Sequence, residues 1–270
     1  PSINELADEY KMAKATIVKS YEALRERGVI ISMQGKGFYV SSTEVRNSLN
    51  IFVLFDTLNA YKEVLYQTLK DALPPDARIS IFFHHYNRQS FQSLIQNNLG
   101  NFNHYVVMPH FDEDVSDIIR QIPREKLLII DKDVKSLKAG YAAVFQDFEK
   151  DAYMALKDGG NLIKKYRRLT LVLGRNNFQY IPAGIIKGFK QFSRNSAVKC
   201  FIAEELHVED LKKGEDYLIF SDTDLIRFLK YVSLKGWKPG RDVGLISYDD
   251  TPLKEILADG VTVITTDFES

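Results

Sequence analysis

The sequence predicts an α/β protein of two parallel-sheet lobes, preceded by a small helix–turn–helix–hairpin unit. Three observations carry that prediction. From Leu49 to Thr265, short β-rich apolar runs alternate with helical stretches, which is the rhythm of βαβ units. Those runs number about ten, more than one small sheet holds comfortably, so they divide between two lobes. Residues 1–40 follow a different rhythm and are set off by a polar run at 41–48.

In the N-terminal segment, Ser2 followed by Glu5 fits a capping box, and Ile3, Leu6, Ala7 and Tyr10 recur at helical spacing. A tight turn around Lys11–Ala13 precedes a second helical period of Ile17, Ser20, Tyr21 and Leu24, which Gly28 can close in a left-handed conformation. Strands at Val29–Met33 and Phe38–Val40 flank a Gly35-Lys36-Gly37 tip, a hairpin with a basic point. Together they draw a winged helix-turn-helix outline. The run SSTEVRNS has no periodicity and reads as a linker. The division is 1–42, a linker at 43–48, and a large domain from 49 to 270.

The large domain opens with an apolar run at Leu49–Phe55 and helical spacing over Tyr61–Leu73. Runs at Ile79–Phe83, Tyr105–Met108, Leu127–Ile130 and Ala142–Phe145 follow. A helix is expected near Lys150–Lys157, then a strand at Leu169–Leu173 and a helix over Ile185–Phe192. The pattern continues through Val198–Ile202, Tyr217–Phe220, a helix at Leu225–Val232, and strands at Val243–Ser247 and Val261–Thr265.

Composition removes several function classes. The 36 Lys+Arg balance 36 Asp+Glu, so no whole-chain field attracts nucleic acid or an anionic membrane, and any basic surface is local. Such a surface exists: from Lys11 to Val40, six basic residues face two acidic ones. No apolar run approaches the ~20 residues of a membrane span. Cys200 is the single cysteine, which excludes an internal disulfide and multi-cysteine metal sites and points to a reducing cytoplasm. The Pro1-Ser2 opening, without a signal-peptide pattern, reads as a fragment or trimmed chain.

The stretch PSINELADEYKMAKATIVKSYEALRERGVIISMQGKGFYV resembles the winged-helix domain of GntR-family regulators. The match lies in PS-x-x-ELA, the T-I pair of the recognition helix, Y-x-x-L-x-x-x-G-x-I, and the G-x-G wing. The family's helix-start Ser is Ala13 here, and its second recognition-helix basic residue is Val18. From about Leu49 the chain resembles the LacI-type effector domain, a two-lobed periplasmic-binding-protein-like fold. That likeness is clearest in YLIFSDTDLIRFLKYVSLKGWKPGRDVGLISYDDTPL, KGFKQF and VTVITTDF. Joined, the two parts resemble arabinose-repressor-type transcription regulators. The resemblance implies lobes of about 49–147 with 251–270 and about 148–250. It also implies truncation at both ends: no helix before Pro1, and no final strand and helices after Glu269. The family's effector-binding Arg falls on Ile185.

Candidate DNA-binding residues are Lys14, Thr16 and Lys19 on the second helix, Ser2 beside it, and Gly35, Lys36 and Gly37 at the wing. Basic and hydroxyl side chains there can hold phosphates and reach base acceptors, and a cation between glycines suits a minor groove. A solvated helix face and a flexible hairpin tip are the bland alternatives. Sugars need acids and amides that bridge vicinal hydroxyls and an aromatic face for the ring, and ligands of open α/β sheets lie beyond the C-terminal strand ends. Asp56, Asn59, Tyr61, Asp131, Asp147, Ser221, Asp222 and Asp249 occupy such positions. Each alone could instead cap a helix. Asp249 closes LISYDD where the chain is expected to cross between lobes. His84 and His85 adjoin, so they point to opposite faces and do not suit one ion. Gly159-Gly160 lacks the Lys-Ser/Thr of a phosphate loop.

The expected function is a cytoplasmic, homodimeric transcription regulator, a repressor of carbohydrate-utilisation genes. Its partners are double-stranded operator DNA and a small sugar held between the lobes; no cofactor, metal or membrane enters. An enzyme acting on a sugar in a two-lobed cleft is the alternative. A transporter's solute-binding protein is disfavoured by the N-terminal segment.

Overall fold

The computed structural model describes residues 1–41, 49–137, 140–174 and 180–266. The linker expected at 43–48 and the end of the VTVITTDF stretch lie outside them. The chain divides into two compact units, Pro1–Phe145 and Gln146 onward.

The first unit begins with α1 (Ile3–Glu9), whose Ser2 and Glu5 form the expected capping box. Next come α2 (Lys14–Glu26) and a hairpin of β1 (Ile30–Met33) with β2 (Gly37–Val40). Ala13 at the start of α2 offers no side-chain cap. Gly28 closes the helix at φ +67°, the left-handed region expected of it. Ala7, Ile17, Tyr21 and Ile30 form this segment's own small core.

The same unit then builds a parallel sheet: β3 (Asn50–Phe55), α3 (Ala60–Asp71), β4 (Arg78–Phe83), α4 (Arg88–Asn98), β5 (His104–Val107), α5 (Ser116–Ile119), β6 (Leu127–Asp131) and β7 (Ala142–Phe145). Strand order is β4-β3-β5-β6-β7. Phe52 and Leu54 of β3, Tyr105 and Val107 of β5, and Leu127 and Ile129 of β6 pack on Phe91 and Ile95 of α4 and Ile118 and Ile119 of α5. Helices cover the strands of a parallel sheet, which is why β3 reads as one apolar run rather than an alternation.

The second unit contains α6 (Phe148–Asp158), α7 (Gly160–Ile163), β8 (Arg168–Val172), α8 (Ala183–Asn195), β9 (Lys199–Ala203), β10 (Asp216–Ile219), α9 (Asp222–Leu234), β11 (Gly244–Tyr248), α10 (Pro252–Ile256) and β12 (Thr262–Ile264). Its parallel sheet runs β12-β11-β10-β8-β9. Residues of α6 and α8 pack on one face and those of α9 on the other. Gly159 ends α6.

Two expectations are corrected. Residues 251–264 belong with the second unit, not the first lobe, because β12 pairs with β11: Ile246, Ser247 and Tyr248 align with Thr262, Val263 and Ile264. For the same reason the turn at Asp249 is not a crossing between lobes; the Asp249 N–H donates to the Ile264 carbonyl at 2.8 Å within the second sheet. An apolar run at 261–265 satisfies the strand pattern of either sheet, so its partner is decided by tertiary pairing.

Gly188 lets α8 cross α6 closely. A Cβ there would stand 2.3 Å from the Glu149 carbonyl oxygen and 3.0 Å from the Ala152 Cβ. Gly188→Ala is therefore expected to destabilise the second unit by ~1–3 kcal/mol through overpacking, read as a lower midpoint in urea unfolding.

Candidate functional site

The C-terminal ends of three adjacent strands in the first unit converge on one imidazole. Asp56 follows β3, Asp131 ends β6, and His110 lies just beyond β5. His110 Nδ1 is 2.6 Å from Asp56 Oδ2 and its Nε2 is 2.7 Å from Asp131 Oδ2. All three side chains are buried. With a carboxylate against each ring nitrogen, the geometry favours a ring that carries both hydrogens, an imidazolium. From α3, Lys62 Nζ reaches Asp56 Oδ1 at 3.1 Å and the Tyr61 hydroxyl donates to Asp131 Oδ1 at 2.8 Å. The Thr57 N–H donates to Asp56 Oδ1 at 2.6 Å. Two carboxylates, one imidazolium and one ammonium sum to no net charge.

Local geometry serves this arrangement. Asp131 sits at φ +70°, a region that Asp tolerates better than most side chains. The Asn59 side chain caps α3 by accepting from the Lys62 N–H at 3.0 Å, which starts the helix where Tyr61 and Lys62 face the acids. Burial disfavours the charged form of Asp56, but the hydrogen bond from His110 and the charges of Lys62 and His110 outweigh it and hold the carboxyl well below its usual range. Burial likewise opposes the His110 cation, yet its contacts with Asp131 and Asp56 raise its pKa. Burial opposes Asp131 as well, and His110 and Tyr61 lower it.

His84 and His85 diverge as expected of neighbours in sequence: His84 is buried and His85 exposed. His84 Nε2 lies 3.1 Å from the Met108 carbonyl, its Nδ1 accepts from the Tyr86 N–H, and the ring stacks on Phe111 at 4.6 Å. Burial drives its pKa down to about 4. Among the described residues, no group of three or more His, Cys, Asp or Glu could hold a metal ion.

In the second unit, Ser221 caps α9 and Asp147 caps α6. Asp222 is exposed and pairs with Lys254 at 3.2 Å, while Asp249 adopts φ +59° after β11. Lys254, 3% exposed, donates to the Tyr248 and Asp249 carbonyls at 2.8 and 2.7 Å and so fixes that strand end. Ile185, where the resemblance places an arginine, is buried in the core. The structure thus brings Asp56, Tyr61 and Asp131 together, and gives Asn59, Asp147 and Ser221 cap bonds. Sequence reasoning missed His110, Lys62 and Lys254. The strand-end position that singled out Asp56 also marks His110, but a lysine on a helix or turn carries no comparable signal.

In the N-terminal segment, Lys14, Thr16 and Lys19 are exposed on α2, as are Gly35, Lys36 and Gly37 at the hairpin tip. Ser2 is exposed and engaged in its cap. Among the described residues, no helix is long and apolar enough to cross a membrane.

No protein-family model and no curated protein matches the chain. Solved structures do. The Lac repressor bound to ONPG matches with a TM-score of 0.63 at 13% identity, over 83% of this chain and 72% of that one. A LacI family transcriptional regulator from Lactobacillus casei with bound glucose matches at 0.63 and 14%, over 80% and 86%. One from Arthrobacter sp. FB24 in complex with lactose matches at 0.62 and 12%, over 81% and 84%. At these identities the likeness establishes the fold: two five-stranded parallel sheets in the α/β architecture of periplasmic-binding-protein-like LacI effector domains. These matches do not support the GntR-type part of the resemblance.

Removing one member of a buried ionic cluster strands the others, so His110→Ala is expected to destabilise the protein by about 3–5 kcal/mol at neutral pH. The pH profile should be a dome. His110, raised above its ordinary value of 6.5, loses its contribution as pH climbs from there through the folded-state pKa. His84, depressed to about 4, stays neutral while the unfolded chain protonates, so stability falls as pH drops from 6.5 to 4. Asp56 and Asp131 extend that fall below their ordinary 3.8. Thermal unfolding from pH 3 to 10 checks the shape, and His84→Asn should flatten the stretch between 6.5 and 4.

Proposed function

We propose that the protein is a ligand-responsive, DNA-binding transcription regulator whose effector is a small sugar. The observation that carries this reading is the exposed face of α2, with Lys14, Thr16 and Lys19 beside the Lys36 hairpin tip, in one chain with an effector-type α/β fold. Lysines and a threonine there suit phosphate oxygens and base acceptors of a major groove, and Lys36 suits a minor groove. The N-terminal segment serves as the reader in the manner of GntR-family winged helices, which makes the whole an arabinose-repressor-type architecture. A repressor of carbohydrate-utilisation genes, working in the cytoplasm as a homodimer on a palindromic operator, is the form we infer: one winged helix reads one half-site, and pairing supplies symmetry.

Two structural neighbours are regulators with bound glucose or lactose, which supports a sugar as effector. The cluster around His110 favours the same class, since a site with balanced charges suits neutral hydroxyls rather than a strongly charged ligand. The effector shifts operator affinity only by binding two arrangements of the protein unequally. The acids on which an enzyme would depend, Asp56 and Asp131, are instead engaged with His110, Lys62 and Tyr61.

A thermal-shift screen of neutral sugars tests the effector; a raised melting temperature with no product formed is the expected result. Asp249→Asn isolates the charge at that position, because Asn tolerates the left-handed backbone as Asp does. It should weaken sugar binding ten-fold or more and leave the sugar-free melting temperature nearly unchanged. An unchanged affinity with a lowered melting temperature would assign Asp249 to the turn instead.

DNA affinity should fall steeply with salt as phosphate contacts release counterions. Lys14→Ala should reduce discrimination between operator and random duplex by ~1–3 kcal/mol if Lys14 reads a base. Equal losses on both duplexes would make it a phosphate contact.

A further inference from the structure

The N-terminal edge of the first sheet is occupied by the chain's own N-terminal segment. Arg25 of α2 inserts at the loop after α4 and donates to the Leu99 carbonyl. It fits because residue 100 is glycine: at φ +72°, a Cβ on Gly100 would stand 1.6 Å from Arg25 Nη2. Beside it, the Ser32 N–H and hydroxyl donate to Asn101 Oδ1 at 3.1 and 3.2 Å, and Asn101 Nδ2 returns a bond to the Ser32 carbonyl at 3.3 Å. Asn103 Nδ2 donates to the Glu26 carbonyl at 2.8 Å, while its Oδ1 accepts from the Asn50 N–H at 2.6 Å. Lys126 Nζ pairs with Glu26 Oε1 at 2.7 Å. Two backbone-directed amides and an arginine seated against a glycine define one orientation, which a single surface ion pair would not.

We propose that this edge is a docking surface for the reader segment, and that the docked arrangement is the low-affinity state for DNA. The proposal rests on the reading of residues 1–41 as the DNA-binding part. Its direction comes from the wing, whose Met33, Gly35 and Phe38 line a groove of about 390 Å³ shared with Gln96 and Asn97 of α4. A duplex approaching the wing from that side meets α4. The dock is wired to the candidate effector site, because three strands carry one group at each end. Asn50 and Asp56 bracket β3, Asn103 and His110 bracket β5, and Lys126 and Asp131 bracket β6. A ligand that shifts the His110 cluster therefore bears on the same strands that hold Asn101, Asn103 and Lys126 against the reader.

The dock is tested on the native chain by zero-length carbodiimide coupling, with mass spectrometry of the linked peptides. A Glu26–Lys126 amide is expected, with a yield at least five-fold lower in Arg25→Ala at unchanged circular dichroism. No such amide in the native chain overturns the dock. For the functional half, Glu26→Cys and Lys126→Cys are combined in a Cys200→Ser background and bridged by a short bis-maleimide. The bridged protein should bind a duplex selected from a random-sequence pool by the unbridged protein at least ten-fold more weakly. Equal or tighter binding overturns the low-affinity assignment. An unbridged protein that enriches no duplex overturns the DNA-binding reading and the low-affinity assignment with it, while the cross-link yield still decides the dock.

Discussion

The buried imidazolium of His110, clasped between Asp56 and Asp131, constrains the C-terminal edge of the first sheet. Taking ions out of water costs several kcal/mol apiece, and only pairing with good geometry recovers it. Here each ion has a counter-ion within about 3 Å: His110 against both acids and Lys62 against Asp56. The spacing of β3, β5 and β6 at that edge is thus set by charge as well as by the Phe52, Tyr105 and Ile129 packing beneath it. A member that moves exposes a buried charge, so the cluster has few tolerable arrangements.

That rigidity matters because both ends of the sheet are in use. The N-terminal ends of the same strands hold Arg25, Glu26 and Ser32 of the N-terminal segment. Short parallel strands with both faces packed transmit small displacements rather than absorbing them, since close-packed interiors deform little. The second unit answers the same problem differently. Its corresponding edge is held by Lys254, whose ammonium binds the carbonyls of Tyr248 and Asp249 and pairs with Asp222. One buried lysine there secures a turn with a left-handed aspartate at its centre.

Much of this architecture is legible in the residues. The capping box of Ser2 and Glu5, the Gly28 terminus and the Gly35-Lys36-Gly37 tip are local devices, decided within a few residues of chain, and they appear where the pattern places them. The strand runs survive as well, because burial on both faces leaves uninterrupted apolar stretches such as IFVLF. Some helices are not legible: in α4, RQSFQSLIQNN has few apolar residues and only Phe91 and Ile95 are buried in full, so its period is faint, and α5, α7 and α10 are only four or five residues long.

The sequence by itself determined most of the element types and the strand ends where acids gather. Tertiary structure alone decided which strand joins which sheet, as β12 shows by pairing with β11. It also decided that Asp56 and Asp131 meet across His110, residues separated by the whole of the βα units between them. The physical reason is range. Helix periods, caps and turns arise from neighbours in the chain, whereas a charge cluster, a strand partner or an arginine seated against Gly100 depends on groups brought together only when the sheet closes.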